Sequence, residues 1–144
     1  METLFDIANI RIEDLNERCK NTLNTAIGFH YTRITGSKLH AELEVSDKNC
    51  QPMGHLNGGT SLAIIEILGS TAANLVLDAS LQVAVGQHVN AHHFRPALIG
   101  ERVYAHTVAL HIGKKSHVWE VLIENAVGKL ICKGTITMAI IARP

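Results

Sequence analysis

The stretch from Gln51 to Leu77, QPMGHLNGGTSLAIIEILGSTAANLVL, constrains the fold of this chain more than any other. It opens with turn residues and then becomes almost continuously apolar. Leu62, Ala63, Ile64, Ile65, Ile67, Leu68, Ala72, Ala73, Leu75, Val76 and Leu77 fall on every side of a helical wheel. A helix that is apolar all round belongs in an interior. At 1.5 Å per residue it spans about 27 Å, the width of a small domain. One charge, Glu66, sits in its middle. A carboxylate in apolar surroundings is costly unless something pairs with it. Two readings stay open: a core helix whose Glu66 pairs with an arginine, and a carboxylate placed for chemistry. Ser70 lies one turn on and shares the face of Glu66. Asn57 is a good N-cap, and Gly58-Gly59 leave the first backbone N–H groups unobstructed. Those donors and the positive end of the helix dipole suit an anion or a polarised carbonyl oxygen.

A chain of 144 residues reads as one domain, 1–144, long enough to bury a core. Its formal charge is zero, which gives no argument for nucleic acid or a membrane surface as partner. There are nine histidines, but no metal-ligand spacing such as HExxH, so no metal is expected. Cys19, Cys50 and Cys132 are odd in number and widely spaced. That pattern fits a reducing cytoplasm rather than a disulfide framework or a zinc site. The N-terminal segment METLFDIANIRIEDLNERCK does not read as a signal peptide. The expected setting is soluble and cytoplasmic.

Residues 6–20 predict short amphipathic helical turns, and 27–35 a strand. Leu39, Ala41, Leu43 and Val45 alternate with His40, Glu42 and Glu44, a half-buried strand. After the helix, 82–94 predicts one long strand containing Gly86, and 101–112, 117–123 and 130–141 predict three more. The order is two strands, one long buried helix, then four strands in an antiparallel meander. One helix wrapped by a curved antiparallel sheet is an α+β arrangement.

At this point the residues resemble a family. The strand–helix order is similar to the hotdog fold. The run Gln51-Pro52-Met53-Gly54-His55-Leu56-Asn57-Gly58-Gly59, followed by Glu66 and Ser70, resembles the Q-P-x-G-x-L-H-G-G…E…S/T pattern of hotdog acyl-CoA thioesterases. The branch resembled acts on 4-hydroxybenzoyl-CoA and 1,4-dihydroxy-2-naphthoyl-CoA. The likeness continues through Val89-Asn90-Ala91-His92-His93 and Gly113-Lys114-Lys115-Ser116-His117-Val118-Trp119.

That resemblance implies an acyl-CoA thioesterase with an aromatic acyl group favoured, and a place in menaquinone biosynthesis. It implies no cofactor, coenzyme A entering as part of the substrate. The Gly58 N–H would polarise the thioester carbonyl. Glu66 would attack as nucleophile or activate a water as general base. Gln51 would orient the thioester or the water, and Ser70 would touch the acyl group or Glu66. His93, Lys114, Lys115, Ser116 and Arg95 are candidates for substrate and CoA contacts. The family forms homodimers, often paired into homotetramers, with Glu66 of one chain facing Gln51 and Gly58 of the other. The chain departs from the pattern at Asn57, where the family usually has histidine; asparagine caps the helix but carries no proton. His55, two residues earlier, is expected to point elsewhere. Two alternatives remain, a non-catalytic acyl-CoA-binding protein and a hotdog hydratase or dehydratase.

Overall fold

The computed structural model describes residues 3–144. Two short helices come first, α1 (Ile12–Arg18) and α2 (Leu23–Ala26), then strands β1 (His30–Ile34) and β2 (Leu39–Glu44). The long helix α3 (Gly58–Leu75) follows, and then β3 (Gln82–Val89), β4 (His92–His93), β5 (Arg102–Ile112), β6 (Ser116–Glu124) and β7 (Leu130–Ala142). The strands form one antiparallel sheet in the order β1-β2-β5-β6-β7-β3, with β4 also paired to β7.

The sheet curls around α3, as the hotdog arrangement requires. Strand β6 shows why. Its residues alternate half-buried and buried from Ser116 to Glu124, so His117, Trp119, Val121 and Ile123 all face the interior. Trp119 is fully buried and stacks on Phe5 at a centroid distance of 6.0 Å. The helix comes close to β7 at Gly69, where an added Cβ would collide with Ile136. On the neighbouring side, the Tyr31 hydroxyl hydrogen-bonds Thr71 Oγ1 at 2.7 Å, and burial pushes the Tyr31 pKa up to about 12.

Three expectations need correction. The segment expected as a strand over 27–35 starts later, at His30, because Ile27 caps α2 in helical conformation and Gly28 turns the chain with a φ of 79°. The long strand expected over 82–94 breaks after Val89. Asn90 is the cause: its Nδ2 donates to Thr135 Oγ1 at 2.7 Å, and its carbonyl packs so tightly on Gly134 that no Cβ would fit there. Nor do the strands after α3 form a simple meander. Only β5-β6-β7 do, while β3 crosses to the far edge beside β7.

The helix also differs from expectation. Ile64, Ile65, Leu68, Ala72 and Ala73 are buried against the sheet, but Leu62, Ala63, Ile67, Leu75, Val76 and Leu77 are only half-buried. A sheet covers one side of a helix, so a single copy leaves an apolar stripe on the other. No described helix is long and apolar enough to cross a membrane.

Candidate active site

The N-terminus of α3 carries the first half of the site. Asn57 is in extended conformation, and its Oδ1 accepts from Gly59 N at 2.7 Å, the N-cap expected from sequence. Thr60 N and Ser61 N donate to the Asn57 carbonyl at 2.9 and 3.2 Å. The Gly58 N–H is thereby left without a partner among the described residues. It sits at the positive end of an 18-residue helix, where an oxyanion is stabilised.

The residues around it converge from three segments. The turn 51–55 is closed by hydrogen bonds from Gln51 N to the His55 carbonyl and from Gly54 N to the Gln51 carbonyl. The Gln51 side-chain oxygen accepts from Met53 N and His55 N, so its amide NH2 is the end left free to donate. From β4, the His93 imidazole lies over the helix start, with Nε2 3.2 Å from where a Gly58 Cβ would stand. Arg95 is anchored by its NH1 donating to the Leu130 carbonyl at 2.9 Å. Gln51, His55, Gly58, Ser61, His93 and Arg95 all line one pocket of about 370 Å³.

His55 corrects the sequence reading, which turned it away from this place. Closure of the turn sets residues 51 and 55 side by side, and the bridge from His55 to Leu98 holds it against the pocket wall. Ser61 and Phe94 were also missed. Ser61 follows from helical spacing, since it lies one turn after Gly58. Behind Ser61, Cys132 is fully buried, and burial raises its thiol pKa, which keeps it protonated and unreactive.

Glu66 and Ser70 lie outside this pocket. Both are half-buried on α3, and Glu66 makes no ion pair or hydrogen bond among the described residues. The reading in which an arginine pairs with Glu66 is therefore excluded for the single chain. Its carboxylate lies instead against Gly86 of β3. Eight residues separate it from Gly58, a rise of about 12 Å along the helix.

Lys114, Lys115 and Ser116 are farther still. His93 pairs with Cys132 of β7, whereas Ser116 pairs with Ala139. Seven residues of strand set the Lys114-Lys115 turn about 23 Å from His93. Both lysines are exposed, and within one chain they do not reach the Gly58 pocket. The described residues hold no cluster of three or more His, Cys, Asp or Glu that could bind a metal.

Comparison with known proteins adds to this geometry. The model of the thioesterase superfamily matches residues 53–132. The proofreading thioesterase EntH of Klebsiella pneumoniae is 37% identical over 118 residues, covering 82% of this chain and 85% of that one. A crystal structure of a thioesterase from Pseudomonas aeruginosa, a glutamine-to-alanine variant, superposes with a TM-score of 0.92 at 34% identity, over 97% of this chain and 99% of the other. A thioesterase from Haemophilus influenzae gives a TM-score of 0.89 at 30% identity, over 93% and 92%.

Proposed function

Because the chain belongs to the thioesterase superfamily and is a thioester hydrolase of hotdog fold, we propose that it hydrolyses acyl-CoA esters, aromatic ones foremost, at a site built from two copies of itself. One observation carries this reading. The Gly58 N–H and the Glu66 carboxylate, both unpartnered among the described residues, lie on the same helix, about 12 Å apart. A single thioester carbonyl cannot touch both. A second copy with its helix antiparallel brings its own Glu66 opposite Gly58.

Two features support that pairing. The half-buried stripe of α3 that surrounds Glu66 is apolar and suits burial against a like surface. Strand β3 is an edge of the sheet, and Val85 is exposed there. The same arrangement carries the Lys114-Lys115 turn of one copy, which lies toward the far end of α3, toward the pocket of the other. There the two ammonium groups meet the phosphates of coenzyme A.

The chemistry follows from the donors. The thioester oxygen sits between the Gly58 N–H and the Gln51 amide, and negative charge develops there as the carbonyl is attacked. Glu66 either adds to the carbon, forming a mixed anhydride that water then cleaves, or takes a proton from the attacking water. Both routes consume one water and release a carboxylic acid and the thiol. His93 and Arg95 hold the thioester arm in the pocket, and Ser70, one turn beyond Glu66, contacts the acyl group. Asn57 holds the helix start rather than a proton. No cofactor enters, and the cytoplasm, where coenzyme A esters are made and used, is the compartment this reading assigns.

The test is thiol release from a panel of aromatic and aliphatic acyl-CoA esters, followed with a thiol-reactive dye, for wild type and Glu66→Gln. Release by wild type alone is the expected result, with aromatic esters fastest. Equal release by the variant removes Glu66 from the mechanism. No release from any ester removes the acyl-CoA assignment.

A further inference from the structure

Gly86 lies inside β3, opposite Met138 of β7. A glycine within a strand sacrifices packing and backbone entropy, so it calls for a reason. A left-handed backbone is not that reason, since the positive-φ glycines are Gly28, Gly54, Gly100 and Gly128, and the register shift against β7 falls after it, between Gly86 and His88. The reason lies across from it. A Cβ at position 86 would stand 2.6 Å from Glu66 Oε1, 3.2 Å from Oε2 and 3.3 Å from Cδ. The whole carboxylate occupies the space that any other residue would fill.

The strand is held before and after Gly86. Gly86 itself is paired to Met138 of β7, the register shifting only beyond it, between Gly86 and His88. Two residues before Gly86, the Asn74 amide takes both backbone groups of Ala84, and beyond the strand's end Asn90 is bonded to Thr135. Glu66, by contrast, has no hydrogen-bond or ion-pair partner among the described residues to hold its carboxylate in place. A methyl at position 86 therefore moves the carboxylate and leaves the strand where it is.

We infer that Gly86 is a positioning residue of the hydrolytic site, an empty seat on the sheet edge that sets where the Glu66 carboxylate stands. The inference rests on the reading of Glu66 as the reacting carboxylate. A displacement of about 1 Å costs up to about a hundredfold in rate when the reacting atoms must be aligned.

The experiment compares kcat, KM and thermal unfolding for wild type, Glu66→Gln, Gly86→Ala, Glu66→Asp and the Glu66→Asp/Gly86→Ala double variant. Gly86→Ala is expected to lower kcat about ten- to hundredfold with KM changed less than about twofold. In the Glu66→Asp background the same methyl is expected to change kcat much less, because the shorter side chain withdraws from the seat. A merely structural glycine would act equally in both backgrounds, and that additivity overturns the inference. Wild-type kcat in Gly86→Ala beside an inactive Glu66→Gln overturns it while sparing the Glu66 reading. An active Glu66→Gln overturns both. Should Gly86→Ala fail to fold, Glu66→Ala/Gly86→Ala decides. A folded double variant supports the seat, and an unfolded one shows that the strand itself needs glycine, which overturns it.

Discussion

Asn74 and Ala84 exchange two hydrogen bonds: Asn74 Nδ2 donates to the Ala84 carbonyl at 3.1 Å, and Ala84 N donates to Asn74 Oδ1 at 2.9 Å. One side chain near the end of α3 thus takes the place of a neighbouring strand on the edge of β3. At Ala84 the edge is closed to any second strand, while Gly86 onward stays open.

Loss of this clamp should be measurable as stability. Asn74→Ala leaves the two backbone groups of Ala84 without their partners in a part-buried setting. The expected cost is about 2 kcal/mol, read from urea unfolding at constant m-value. A change below about 0.5 kcal/mol would mean that water replaces the amide at no penalty.

The outer face of the sheet should respond to acid. His40 and His106 lie side by side with ring centroids 5.7 Å apart. Burial first, then Arg33, His106 and Lys38, push the His40 pKa down to about 4, and burial first, then Lys38, lowers that of His106. Glu124 and Glu120 act on His106 in the opposite direction. The folded state therefore binds fewer protons than the unfolded one between the ordinary histidine pKa, about 6.5, and about 4. Stability is complete above that upper value and falls as the pH drops through this window. Thermal unfolding at pH 7 and pH 4.5 should show the fall, and His40→Gln should make it smaller. An equal fall in wild type and variant would assign the acid sensitivity elsewhere.

A charge beside the helix start should act on rate and not on folding. Asn57→Asp keeps an oxygen to accept from Gly59 N and suits the helix dipole, so the melting temperature is expected to hold or rise. The added negative charge lies next to the place where the oxyanion develops. A drop in kcat of about ten- to hundredfold is expected. Undiminished kcat would show that the Gly58 N–H is not the donor.

The uncovered stripe of α3 should control assembly and activity together. Ala63 is half-buried on that stripe, one turn before Glu66. Ala63→Arg is expected to yield a folded single chain by sedimentation velocity with thiol release down at least about a hundredfold, since half of each site is gone. A fully active monomer would refute the two-copy site.

Much of this was legible in residue order. The run from Asn57 to Leu77 announced a capped helix with a lone carboxylate, and the alternation at Leu39–Val45 gave a strand of the right phase. The signals are local: caps, periods of 3.6 and 2, and turn residues act within a few positions of themselves. His55 was misplaced because a turn geometry, not a periodicity, aims it. The strand over 82–94 was drawn too long because the Asn90 bonds to Thr135 come from 45 residues away.

The sequence by itself determined the helix, its cap, its one charge and the strands that flank it. Only the tertiary structure decided that β3 lies at the far edge beside β7, that His93 covers Gly58, and that the Glu66 carboxylate rests on Gly86. Strand pairing joins residues far apart in the chain, and no local pattern records which partner a strand will find. The helix shows the same division. Its composition asks for cover on every side, and the curled sheet supplies cover on one.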